Sequence, residues 1–89
     1  MKIILSEHAL FEAKRRNIEA EQIYSVFKIP HQRLSSKKGR VIFQNKYHDS
    51  IMNKEMLLRV IGCEIAGSFH VITAYKTSKI GKYWHGGGE

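Results

Sequence analysis

The hydrophobic pattern of this chain changes period once, at its only proline. Before Pro30, apolar residues recur every three or four positions; after it come short alternating or continuously apolar runs of strand length. Proline fixes φ and lacks an N–H, so a helix ends there. A chain with helices first and strands afterwards segregates the two, which is the α+β class. The expected architecture is a helical hairpin packed on one face of a four-stranded, mainly antiparallel twisted sheet, with a short C-terminal helix.

Ser6 reads as a helix N-cap, and Glu7 suits the positive end of the helix dipole. Helix one is predicted over residues 7–16, with Ala9, Leu10, Ala13 and Asn17 on one side and His8, Glu12 and Arg15 opposite. Asn17 is suited to a left-handed cap. Helix two is predicted over residues 20–28, with Ile23, Val26 and Phe27 as its apolar stripe. Residues 32–35 and 40–45 read as strands around a turn at Lys37-Lys38-Gly39, and residues 47–53 as a loop. Residues 56–65 and 69–75 read as two further strands joined by Ala66-Gly67-Ser68. Thr77 or Ser78 caps a last helical turn through Tyr83. Residues 1–84 form one domain, and residues 85–89 are expected to be a flexible tail.

Composition removes several function classes. Cys63 is the only cysteine, so an intrachain disulfide and a cysteine zinc cluster are out, and a reducing cytoplasm is the expected location. No apolar run approaches the ~20 residues of a membrane span, and Ile3-Ile4-Leu5 is too short for the core of a signal peptide. No glycine-rich phosphate loop or Gly-x-Ser-x-Gly elbow is present, so no cofactor is expected. The five histidines show no i, i+4 pair on a helix and no acidic company, which argues against a metal site.

The 89 residues carry a net charge of +7. Residues 31–54 hold Arg33, Lys37, Lys38, Arg40, Lys46 and Lys54 against Asp49 alone, and residues 76–84 add Lys76, Lys79 and Lys82. Two basic regions of this kind fit an anionic partner, or simply two solvated faces. Lys beside Tyr, as at Tyr75-Lys76 and Lys82-Tyr83, can meet phosphate and stack on a base. Arg59, alone in an apolar strand, points to the open face of the sheet, free to clamp a phosphate or to pair with Glu64, Glu55 or Glu12. His8, in the first turn of helix one, is disfavoured as imidazolium and so suits a general base near neutrality.

Taken together, His8-Ala9 opening a helix, Arg16-Asn17-Ile18 leading into the next, Pro30, Lys38-Gly39-Arg40 and Val71-Ile72-Thr73-Ala74-Tyr75-Lys76 form a pattern. It resembles an uncharacterised domain family of small bacterial proteins related to the BrnT-type and RelE/ParE-type toxins of toxin–antitoxin pairs. The resemblance spans roughly residues 6–84. It implies a small toxin-like α+β fold, metal-independent RNA cleavage (ribosome-associated in the RelE type) and neutralisation by an antitoxin protein. ParE-type relatives instead inhibit gyrase. The resemblance puts Lys76 and Tyr83 at positions that help cleavage. With the residue-level reading, the candidate catalytic set is His8, Tyr75, Lys76 and Tyr83. The candidate RNA-binding set is Arg16, Lys37, Lys38, Arg40, Arg59, Lys79 and Lys82. A non-catalytic module that binds nucleic acid or an acidic protein through the same basic surface is the alternative.

Overall fold

The computed structural model describes residues 1–86. The chain is α+β, and it begins with a strand. Strand β1 is Lys2–Leu5, followed by helices α1 (Glu7–Arg15) and α2 (Ala20–Lys28). Strand β2 (Gln32–Ser35), a single 3₁₀ turn (Lys37–Gly39), β3 (Arg40–Asp49), β4 (Lys54–Ile65) and β5 (Ser68–Thr77) come next, and α3 (Ile80–Tyr83) ends the described elements. The sheet has five strands in the order β1-β5-β4-β3-β2. All neighbours are antiparallel except β1, which runs parallel to β5.

The sheet is therefore mixed and five-stranded, and the helical hairpin follows β1 rather than opening the chain. Lys2-Ile3-Ile4-Leu5 is too short to reveal a period, and its partner residues lie at 68–71. The expected loop at 47–53 also shrinks. Residues Tyr47, His48 and Asp49 stay paired with Met56, Glu55 and Lys54, which lengthens both strands. Asp49 makes this possible. Its Oδ1 accepts from the N–H groups of Ile51 and Met52 at 3.0 Å each, so the tight turn takes over backbone donors that a longer loop would leave to solvent.

Local signals in the helices hold. Ser6 Oγ accepts from the Ala9 N–H at 3.1 Å. Gln22 Oε1 accepts from the Glu19 N–H at 2.8 Å. Asn17 takes φ 60°, the left-handed conformation that ends α1. Both helices cover the same face of the sheet. Ala9, Ala13, Ile18, Ile23 and Val26 are buried against Val41, Phe43, Leu58, Val60, Phe69, Val71 and Ala74. Phe27, Phe43 and Phe69 form the aromatic centre, with ring centroids 4.9–5.5 Å apart.

The pairing of β4 with β5 shifts by one residue beside Ile61 and Gly62, leaving Ile72 as the extra residue. The backbones close up there. A Cβ on Gly62 would overlap the His70 carbonyl oxygen and lie 2.7 Å from the Phe69 ring. Gly62→Ala is expected to lower stability by roughly 1–3 kcal/mol, because neither the strand backbone nor a core ring can step aside. An unchanged midpoint in urea unfolding would contradict this.

Candidate functional site

Strand alternation sorts the side chains onto two faces. Helices take one. On the other, Gln44, Arg59 and Tyr75 stand side by side on β3, β4 and β5, since Gln44 pairs with Arg59 and Arg59 with Tyr75. Segment α3 then returns across this face and brings Tyr83 over Arg59.

Arg59 is only 7 % exposed and Gln44 is fully buried. Arg59 Nε donates to Gln44 Oε1 at 2.8 Å, and Nη1 donates to the Tyr75 hydroxyl at 2.6 Å. The guanidinium carbon lies 4.1 Å from the Tyr83 ring centroid and 5.7 Å from that of Tyr75. Gln44 Nε2 donates to Gln32 Oε1 at 2.7 Å and to the Tyr83 carbonyl at 3.1 Å. Gln32 in turn holds the His85 backbone in both directions, accepting from its N–H and donating to its carbonyl. Trp84, between these contacts, lies under Lys46 with the ammonium 4.1 Å from its ring centroid, and His31 meets its edge.

The electrostatics of this cluster are one-sided. Among the described residues Arg59 makes no ion pair. The expected alternatives are engaged elsewhere: Glu64 with Arg33 at 2.8 Å and Glu12 with Arg15 at 3.0 Å. Alternation places Lys2, Arg40 and Lys46 on the same face as Arg59, with Glu55 as the one strand carboxylate there. Of the five N–H groups of a guanidinium, two are used here, which leaves three. No buried side-chain nitrogen or oxygen lacks a partner among the described residues, so the unpaired Nη2 reaches solvent. Tyr83 sits beside this charge. Its phenol is held below the ordinary value of 10.0, first by hydrogen bonding from the Tyr75 hydroxyl, then by the Lys82 and Arg59 charges, with burial opposing. The Tyr75 and Tyr83 rings meet edge to face, with centroids 6.2 Å apart.

Tyr75, Tyr83, Arg59 and Lys82 thus come together, with the Lys82 ammonium 5.3 Å from the Tyr83 centroid. Lys79 is exposed just before α3, its N–H donating to Thr77 Oγ1. Lys76 goes the other way. Although next to Tyr75 in sequence, it faces the helical side, where its Nζ donates to the Asn17 carbonyl at 3.1 Å and lies 3.9 Å from Asp49 Oδ2. His8 is exposed on α1, in the helical layer. Arg16 caps the edge of β5 beyond the end of β1, with Nη1 donating to Thr73 Oγ1 and the Ala74 carbonyl, both at 2.9 Å. Lys37, Lys38 and Arg40 are exposed at the β2–β3 turn. Arg40 is four residues along β3 from Gln44, or about 13 Å.

Gln44, Gln32, His31, Lys46 and Trp84 were not singled out by sequence. A glutamine directly after the apolar run Val41-Ile42-Phe43 is the one local signal for Gln44. No protein-family model matches the chain, and neither the curated proteins nor the solved structures give a significant match. No helix among the described residues is long and apolar enough to cross a membrane.

On the helical face, Asp49 anchors Lys76. Its carboxyl is held below the ordinary 3.8, first by the Met52 N–H and further by the Ile51 N–H, Lys76 and Tyr47, against the effect of burial. Burial first, and then the same carboxylate, push the Tyr47 phenol up to about 12. A lowered carboxyl stabilises the fold above its unfolded value and loses that contribution as pH falls through the folded one. Asp49→Asn keeps the turn's acceptor and removes the charge. Wild type is therefore expected to melt above the variant near neutral pH, and the gap to close as the pH drops below about 4. Thermal melts across that range check this; a gap that does not vary with pH would refute it.

Proposed function

We propose that this chain is a cytoplasmic, metal-independent endoribonuclease and the toxin of a toxin–antitoxin pair, with RNA bound on the Arg59 face. The observation that carries the reading is a buried guanidinium with no carboxylate partner. Such a charge is costly to bury unless something anionic completes it. A phosphodiester does so with two oxygens, and the Tyr83 ring lies over the guanidinium with the Lys82 ammonium beside it.

The chemistry needs no metal, because the ribose 2′-hydroxyl is an internal nucleophile. Its oxygen attacks the adjacent phosphorus, the bond to the 5′-oxygen breaks, and the products are a 2′,3′-cyclic phosphate and a 5′-hydroxyl. Tyr83, its phenol lowered by Tyr75 and the two cations, takes the 2′-hydroxyl proton in its phenolate form. The Lys82 ammonium gives a proton to the departing 5′-oxygen. Arg59 holds the charge that builds on the phosphorane oxygens. Lys79 and the Lys37, Lys38 and Arg40 turn extend the basic track for flanking phosphates. Lys76, Arg16 and His8 support the frame on the other layer rather than touching the cleaved bond. The partners are RNA, ribosome-associated on the RelE analogy, and an antitoxin that neutralises the chain.

A non-catalytic module, binding RNA or inhibiting a protein target in the ParE manner, is favoured by two features: the cluster holds no carboxylate, and His31 is occupied by the Lys46 N–H and the Trp84 ring. The two readings part on product analysis. Purified protein with RNA and EDTA is expected to yield cyclic-phosphate ends. Arg59→Met is expected to slow cleavage about 10²–10³-fold, the usual loss for one transition-state donor. The rate should rise with pH along a limb below pH 10.0, because the phenolate fraction grows, and Tyr83→Phe should remove that limb. RNA left intact with and without ribosomes, yet still bound, would establish the non-catalytic reading.

A further inference from the structure

Gln44 stands where a carboxylate would be expected. It is fully buried, 2.8 Å from a buried arginine, in a strand centre with no solvent to share the charge. A glutamate there would satisfy Arg59 better as an isolated pair. We propose that Gln44 is the positioning residue that keeps Arg59 available to a phosphodiester. Its amide orients the guanidinium through Nε without cancelling its charge. This rests on the reading of the Arg59 face as a phosphate site, but not on cleavage.

The geometry supports the assignment in two further ways. The second partner of Arg59 is also neutral, the Tyr75 hydroxyl at 2.6 Å. With Nε occupied, the side-on fork made by Nε and Nη2 is closed. With Nη1 also donating to Tyr75, Nη2 is the guanidinium nitrogen left without a protein partner and offered to an incoming anion. Gln44 is itself fixed, because its amide nitrogen donates to both Gln32 Oε1 and the Tyr83 carbonyl. Rotating the amide would put an N–H against the Arg59 Nε–H. The orientation of the guanidinium therefore follows from β3 and from the C-terminal segment at once.

Two substitutions separate charge from hydrogen bonding. Gln44→Glu and Gln44→Met both lose the amide donor, and only the first supplies a counter-charge. The probe is a short single-stranded 2′-O-methyl oligoribonucleotide, which has no free 2′-hydroxyl and so reports binding alone. Gln44→Glu is expected to weaken binding at least about tenfold at low salt. It should also flatten the dependence of log K on log salt by about 0.7, the equivalent of one phosphate contact on a single strand. Gln44→Met should keep the wild-type slope. Without oligonucleotide, Gln44→Glu should melt above Gln44→Met, because the introduced carboxylate completes the arginine. Equal affinities and slopes for the two variants would overturn the role of Gln44, as would a Gln44→Glu chain that fails to fold when Gln44→Met folds. Arg59→Met is the parallel arm. If it binds the oligonucleotide as wild type does, the phosphate reading of the face falls, whatever the Gln44 variants show.

Discussion

Strand β4 is the third of five strands and is buried on both faces. Leu58 and Val60 lie under the helices, while Leu57 and Arg59 lie on the opposite side and are just as inaccessible. Both helices lie on one face of the sheet. The other must be closed by the remaining chain, and the segment from α3 to His85 does this, tied down through Gln44, Gln32 and Lys46. Much of the rest depends on that requirement. It fixes where the C-terminal aromatic residues go, and it turns a charged residue in an apolar strand into the centre of a polar cluster.

In this cluster no fully buried side-chain polar atom lacks a partner, but the Arg59 charge has no counter-charge among the described residues. Gln44, Tyr75 and the Tyr83 ring together offset part of the desolvation of Arg59. None of them carries a negative charge. The helical face solves the same problem differently. There Lys76 meets Asp49, and the carboxylate is further satisfied by two turn amides. One layer thus sets a carboxylate beside its part-buried cation, while the other surrounds its buried cation with neutral partners.

Much of the fold was legible in residues whose signals are local. Ser6, Asn17, Pro30 and the stripe of helix two report on neighbours three or four positions away, and the structure follows them; of the stripe expected on helix one, Ala9 and Ala13 are buried while Leu10 and Asn17 are exposed. What was not legible depends on distant partners. Lys2–Leu5 becomes a strand because residues 68–71 present an open edge. Tyr47–Asp49 stays in the sheet because Asp49 reaches forward to cap the turn. Within the site, alternation correctly separates Tyr75 from Lys76, and that same alternation keeps Lys76 from joining Tyr83. Gln44 carried no local signal strong enough to mark it as the neighbour of Arg59, since that relation exists only across the β3–β4 register.

The parallel pairing of β1 with β5 also bears on how the chain assembles. Antiparallel neighbours β3, β4 and β5 are joined by short turns and can zip from one end. Residues 2–5 must instead wait for residues 68–71, so the largest loop closure in the sheet joins its first strand to its last. During synthesis residues 2–28 emerge before residues 68–71, the edge with which β1 pairs. The N-terminal third of the chain therefore spends its early life holding an apolar helical face that nothing yet covers. Such a face is the kind of surface that a chaperone or a binding partner meets before the fold is complete.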